Sequence, residues 1–413
     1  MKAEIIETGP EPRPNAAYVS DALAAGPFVF PSGALAATEP TGDPYQSPIR
    51  VQTNIALRRL GATLEAGGSS LDHSITLSTY FPDLDDLPGH MNVRRRYPGL
   101  AQLPSTAIQC GLVRPTATIE IDLMAWRPGH GATRELITTD AVPRPSEPSA
   151  QAVRAGPFVF LSGVMATDFK SGIPAPARVP EGLPHFGSAI KRQTAWVLEA
   201  IARVLEVAGS SLDQIVSTRV VLTEVTDFQA FDEAWREYLG RSLPARTVIN
   251  APLVNPGCRI EVGIIALAPD SGIQKEIIST PAAPVPTTAE SQAVRAGDFV
   301  FASALLPTDF QTGIAPQVRI DPNFPRSGSA IDNQTRFLLS NLAAILHAAG
   351  SSLEKVVKVG AYHTRLATDL LGAMEVRREY FGDHPPASTT IQVPQLLVPE
   401  SLVMIDAIAV TDD

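Results

Sequence analysis

Short apolar runs of β character alternate with longer stretches of helical spacing along this chain, and the alternation occurs three times. It is clearest between residues 134 and 267. "RELIT" and "FVFLSG" are short runs rich in β-formers, the second closing at a glycine, and both predict strands. In "IKRQTAWVLEAIARVLEVAG", Leu198, Ile201, Ala202 and Leu205 fall at i, i+3, i+4 and i+7, the spacing of a helix that buries one stripe against a sheet. Gly209 follows that stripe where a helix ends in the left-handed conformation, so "AGSSLD" reads as a helix stop and not as a ligand loop. "IVSTRVVLTEV" then predicts a strand. "DFQAFDEAWREYL" predicts a second amphipathic helix with Phe228, Phe231, Trp235 and Tyr238 as packing candidates, and "RTVINAP" and "RIEVGIIAL" predict two closing strands. The predicted order is β-β-α-β-α-β-β.

The flanking sequence repeats this unit. "AGPFVFPSGALAAT" (25–38) returns as "AGPFVFLSGVMATD" (155–168) and as "AGDFVFASALLPTD" (296–309), and the helix stop recurs as "EAGGSSLDHSI", "EVAGSSLDQIV" and "HAAGSSLEKVV". Copies two and three keep a constant offset of 141 from Gly156/Gly297 to Gly209/Gly350. Units of this size are domains, because solenoid repeats have periods of about 20–50 residues. The expected organisation is three α+β repeats at 1–131, 132–272 and 273–413, with proline-rich stretches such as "AVPRPSEP" and "TPAAPVPTTAE" read as linkers or extended connections.

Composition narrows the function. At 413 residues the chain exceeds what one core usually organises, which agrees with the repeats. A net charge of −10 argues against a nucleic-acid partner, which normally demands a basic stripe. No apolar run suggests a signal peptide or a membrane span. The two cysteines, Cys110 and Cys258, lie in different repeats, which disfavours a disulfide or a thiolate metal site, and the seven histidines show no metal-ligand spacing. The expectation is a cytoplasmic protein acting on a small molecule, without metal, membrane or nucleic acid.

"QTxxxLxxxxxxLxxAGSSLD", then "TDF" before a helix, then "PAR", then "IEVGIIA" resembles the RidA (YjgF) family, and the resemblance runs through all three repeats. It implies a chorismate mutase-like α+β unit that trimerises with its sheets facing inward and small-molecule clefts between neighbours. Three fused copies would form a single-chain pseudotrimer, with further homo-oligomerisation left open. The resemblance also implies cofactor-independent hydrolysis of imines or enamines to a carbonyl compound and ammonia. The family arginine, which grips the substrate carboxylate, falls at Arg246 and is Ser105 and Ser388 in the other repeats. The family glutamate, which helps place the attacking water, falls at Glu261 and Glu120 but is Met404 in repeat 3. The serine-glycine pair of the cleft strand is Ser162-Gly163, Ser32-Gly33 and Ser303-Ala304. The family asparagine is Asp232, against Met91 and Met374, and the N-terminal tyrosine has its place near Ser149 and one residue from Tyr18.

The chemistry of these side chains agrees with such roles. Arg246 presents a planar fork that can hold a carboxylate through two hydrogen bonds. Glu261 can act as general base or hold a water, and Ser162 with nearby backbone N–H groups can stabilise charge in the adduct. Arg246 and Glu261 are the expected catalytic pair, with Ser162, Gly163, Asp232, Glu120, Ser32, Ser105 and Ser388 as candidate substrate-binding residues. The bland alternative makes Arg246 a structural ion pair at a repeat boundary, and Glu120 and Glu261 members of a solvated face. "MNVRRRY" (91–97) and "MEVRREY" (374–380) put Arg94 and Arg377 on a helix. A solvated face is the expected setting, and a replacement cation for the neighbouring cleft is the sharper alternative. The functional expectation is a hydrolytic deaminase. A diverged amide or ring-opening C–N hydrolase using Ser105 or Ser388, or a non-catalytic small-molecule binder, are the alternatives. An endoribonuclease role, sometimes attached to the family, fits poorly with the acidic charge.

Overall fold

The structure, a computed structural model, describes residues 1–8, 18–36, 48–130, 134–144, 149–324, 326 and 328–411. Repeat 1 comprises β1 (Ala3–Ile6), β2 (Ala22–Ala25), β3 (Phe28–Pro31), β4 (Ala34–Leu35), α1 (Pro48–Ala66), β5 (Ser74–Phe81), α2 (Leu87–Arg94), α3 (Pro98–Ala101), β6 (Thr106–Gln109), β7 (Gly111–Leu112) and β8 (Glu120–Trp126). Repeat 2 comprises β9 (Arg134–Ile137), β10 (Ala152–Ala155), β11 (Phe158–Met165), α4 (Ala189–Val207), β12 (Ile215–Leu222), α5 (Phe228–Leu239), β13 (Ala245–Asn250) and β14 (Ile260–Leu267). Repeat 3 comprises β15 (Lys275–Ile278), β16 (Ala293–Ala296), β17 (Phe299–Leu305), α6 (Ala330–Ala348), β18 (Val356–His363), α7 (Leu366–Phe381), β19 (Ala387–Gln392) and β20 (Val403–Val410).

Repeats 2 and 3 each carry one strand more than the hydrophobic pattern predicts, and repeat 1 carries three more, all of them short. In the middle repeat the addition is β10, "AVRA", too short and too polar at its centre to register as an apolar run. It forms a hairpin with β11 and pairs with β9 on its other side. The sheet runs β13-β12-β14-β11-β10-β9, and repeat 3 follows the same order. β12 and β13 are parallel, as are β5/β6 and β18/β19, because a helix crosses over between them. The predicted stripe holds: Leu198, Ile201 and Leu205 are buried, although Val197 and Val204 complete it and Ala202 lies only half-buried at its edge. Gly209 adopts φ +73°, so the helix stops there for the predicted reason.

The three sheets meet face to face. Phe28, Phe158 and Phe299 hold equivalent places in their repeats and form a buried triangle with centroid separations of 6.1, 5.5 and 5.9 Å. Further along the axis, Tyr80, Ile108, Val221, Ile249, Tyr362 and Ile391 form a shared cluster drawn from all three repeats. β7 crosses the boundary and pairs with β19, extending the third sheet. The chain is therefore a single-chain pseudotrimer, and each inner sheet face is buried by the other two. Among the described residues no helix is long and apolar enough to cross a membrane.

Candidate functional site

Strand register decides which predicted residues can meet. Val221 of β12 stands beside Ile249 of β13 and Glu261 of β14, whereas Thr218 stands beside Arg246. Val221 and Thr218 are an odd number of residues apart, so their rows point to opposite faces of the sheet. Glu261 therefore faces the interior of the pseudotrimer, and Arg246 faces the helices. Arg246 and Glu261, expected to share one cleft, are not brought together. The family positions of one repeat meet those of its neighbour at three separate boundaries.

At the boundary of repeats 2 and 3, the Arg246 backbone N–H donates to Ser303 Oγ at 2.9 Å. Its guanidinium is buried and donates from Nε to Glu290 Oε2 at 2.9 Å and from Nη2 to Asp232 Oδ1 at 2.7 Å. Nη1 has no partner among the described residues. The Phe228, Phe231 and Trp235 rings surround the cation, with centroids 5.5, 5.3 and 5.9 Å from Cζ. Glu290 takes the position in repeat 3 that Ser149 takes in repeat 2. Two carboxylates thus occupy the donors that a substrate carboxylate would use, and Met404 stands where the glutamate should be. Asp232 is here a partner of the arginine, in agreement with the ion-pair reading.

At the boundary of repeats 1 and 2, Glu261 is buried against Thr106 of the neighbouring repeat. A Cβ on Gly163 would lie 2.3 Å from Glu261 Oε1 and 2.9 Å from the Ser105 carbonyl oxygen, so only glycine fits between them. Burial pushes the Glu261 carboxyl up to about 8, against a hydrogen bond from Thr106 that lowers it. Ser105 does not stand alone: Arg94 Nη1 donates to its Oγ at 2.6 Å, while Arg94 Nε donates to the Leu100 carbonyl at 2.9 Å and Nη2 to the Leu103 carbonyl. A cavity of about 110 Å³ opens here, lined by Ser105, Ser149, Gly163, Met165, Phe169 and Trp196. The Ser162 side chain lies outside the described residues.

At the boundary of repeats 3 and 1, the Ser388 N–H donates to Ser32 Oγ at 2.9 Å, and the Gly33 N–H donates to the Ser388 carbonyl at 3.1 Å. A Cβ on Gly33 would lie 2.1 Å from Glu120 Oε1. Glu120 is raised to about 8, mainly by burial and then by Asp122, with Lys358 opposing. Tyr18 lies over α7, its ring centroid 6.0 Å from Arg378 Cζ. Arg377, on the same helix, is 1% exposed and donates from Nη1 to Met374 Sδ at 3.6 Å; its Nε and Nη2 have no partner among the described residues. Burial lowers both Arg94 and Arg377 to about 10.

One alternative and one expectation are corrected. Glu120 and Glu261 do point opposite to their isoleucine neighbours, but into the interior and not onto a solvated face, because the inner face is covered by the other repeats. Arg94 and Arg377 are buried and not on a solvated helix face. The signal for this was present in the sequence as a reciprocal exchange. Where the strand carries Arg246, the helix eleven residues earlier carries Trp235; where the strand carries Ser105 or Ser388, the helix carries Arg94 or Arg377. Sequence reasoning also missed the axial chamber of about 150 Å³. In it Lys358 Nζ donates to Asp122 Oδ1 at 2.7 Å, Arg219 Nη1 to the Tyr80 hydroxyl at 3.1 Å, and the Tyr362 hydroxyl to Asp406 Oδ2 at 2.9 Å. Asp122 and Asp406 hold equivalent positions, as do Tyr80 and Tyr362, but Arg219 and Lys358 each have no charged counterpart, and nothing in linear order marks these groups as neighbours.

Known proteins resemble this arrangement at both scales. The family model described as Endoribonuclease L-PSP matches residues 8–127, 139–268 and 280–411. A RutC family protein of Pyrococcus horikoshii is 35% identical over 133 residues, which covers 32% of this chain and 97% of that protein. A 2-iminobutanoate/2-iminopropanoate deaminase of Mus musculus is 28% identical over 134 residues, 32% of this chain and 91% of the relative. At the scale of the whole molecule, a solved chorismatase covers 82% of this chain and 93% of its own with a TM-score of 0.52 at 15% identity, a likeness of fold alone. With every repeat matched in turn, the chain belongs to the Endoribonuclease L-PSP family, the RidA/RutC group, as three tandem units.

Proposed function

We propose that the protein is a cofactor-independent hydrolytic deaminase of a small imine or enamine bearing a carboxylate, and that it works at the boundaries that keep the family glutamate. The observation that carries this reading is the pair of buried carboxyls, Glu120 and Glu261. Each is pressed against a cleft-strand glycine and the neighbouring repeat, and each is raised to about 8. Such a carboxyl is largely protonated at neutral pH, so it can give its proton to the imine nitrogen as water adds to the C=N carbon. The carboxylate so formed takes a proton from that water, leaving a carbinolamine. Collapse of the carbinolamine breaks the C–N bond and releases ammonia and the carbonyl compound. The imine carbon is itself electrophilic, so no metal or organic cofactor is needed. The name of the mouse relative supports a 2-imino acid as the substrate class.

This reading moves the expected centre away from Arg246, whose fork already holds Asp232 and Glu290. That boundary fits the structural ion-pair alternative, without a catalytic role. The test is ammonia release from 2-iminobutanoate generated in the assay. The E120Q/E261Q double variant is expected to lose at least about a hundredfold in rate, the lower end of what general acid–base catalysis contributes, with its fold intact by circular dichroism. Full turnover by the double variant sinks the reading.

A further inference from the structure

The three boundaries differ in what satisfies their buried guanidinium. Arg246 is neutralised by two carboxylates, and Arg94 is held by two backbone carbonyls and the Ser105 hydroxyl. Arg377 has neither. It stands where Arg94 stands in repeat 1, and its Nη1 meets the Met374 sulfur as Arg94 Nη1 meets Met91. Beyond that sulfur its donors have no acceptor among the described residues, and Ser388 Oγ and Glu120 Oε2 at the same boundary are also buried without partners. The charged groups near it do not compensate it. His363 is held neutral, lowered to about 4 by burial first and then by the charge of Arg377. Asp369, which also acts on His363, is engaged by Arg365 at 3.0 and 3.2 Å. A buried cation with two unfilled donor groups is costly unless an anion completes it.

We infer that Arg377 is the carboxylate anchor of the boundary between repeats 3 and 1, gripping an anionic small molecule on the side where α7 meets Tyr18 of repeat 1. Its Nε and Nη2 form the edge of a guanidinium that matches the two oxygens of a carboxylate. The strand serine Ser388 then replaces the family arginine in sequence but not in function, since the cation comes from α7 instead. The anchor rests on the proposed function for its substrate class, a short 2-imino acid. It does not rest on it for binding the carboxylate, which any 2-oxo acid shares.

Isothermal titration with 2-oxobutanoate, the keto acid left when 2-iminobutanoate loses its nitrogen, separates the two. The wild-type chain is expected to bind it, R377K to bind it more weakly, and R377M to bind it about tenfold more weakly or worse, the scale of a lost charge-assisted hydrogen bond. R377M is also expected to melt no lower than the wild type without ligand, because it removes a cation that has no partner. Unchanged affinity in R377M, absence of wild-type binding, or equal binding of the uncharged 2-butanone would each overturn the anchor. Binding that depends on Arg377 without any ammonia release would keep the anchor and defeat the deaminase reading. Ammonia release by an E261Q chain that is untouched when R377M is added would do the reverse.

Discussion

Glu261 and Glu120 are the residues whose surroundings differ most from what an isolated side chain would experience. Both carboxyls lie in the interior without a neutralising cation strong enough to offset burial, so their folded values of about 8 sit well above the ordinary value of 4.5. The folded chain therefore holds protons that the unfolded chain has released between those two values. The stability linked to these groups is complete below about 4.5 and is lost as pH rises through about 8. Melting temperatures between pH 5 and 9 are expected to fall for the wild type, and to fall less steeply for E261Q, whose amide cannot ionise. An identical slope in E261Q would mean that Glu261 is already ionised. The residues next to Glu261 in sequence do not give its surroundings, since the covering strands come from another repeat.

At the scale of elements, the helix before the second crossover and the strand after it form one unit. α5 presents Trp235 to the Arg246 of β13, while α2 and α7 present arginine toward a serine at the equivalent strand position. The guanidinium sits on the strand in repeat 2 and on the helix in repeats 1 and 3, because the space between this helix and strand holds one large cation. Arg246→Met leaves the part-buried Asp232 and Glu290 without their shared cation, while the Ala289 N–H still donates to Asp232, and is expected to cost about 1–3 kcal/mol in chemical denaturation. A second substitution, W235R combined with R246S, rebuilds the exchange found in the other two repeats. It is expected to be less destabilising than the two single changes added together; strict additivity would show that the pair is not coupled. The element order and the helix stop were readable from periodicity and a glycine. The short hairpin strands were not, because a four-residue strand with a central arginine has no alternation to detect.

The whole molecule explains why three units share one chain. In a homotrimer, any charged residue on the inner face appears three times around the axis and repels its copies. Fusion allows Arg219 to stand where Ser78 and Gly360 stand in the other repeats, and Lys358 where Thr76 and Ser217 stand. Asp122 and Asp406 face them across the chamber where repeat 2 has Gly263. The interior becomes a set of opposite charges that only one arrangement of the repeats satisfies. Lys358→Met leaves Asp122 without its buried cation and is expected to lower stability by about 3–5 kcal/mol. A loss within about 0.5 kcal/mol, the scale of an ordinary surface change, would mean that the chamber is wet enough to solvate Asp122 unaided.

Periodicity, glycine placement and internal repetition are properties of neighbouring residues along the chain, and from them the sequence determined the three-unit α+β organisation and the family. The composition of each boundary was decided only in three dimensions. Glu261 of repeat 2 packs beside Ser105 of repeat 1, whereas Arg246 of repeat 2 meets Glu290 of repeat 3. Strand parity then sends Arg246 and Glu261 of a single repeat to different neighbours. Linear order records which groups a repeat carries, while packing around the pseudo-threefold axis selects the groups that meet.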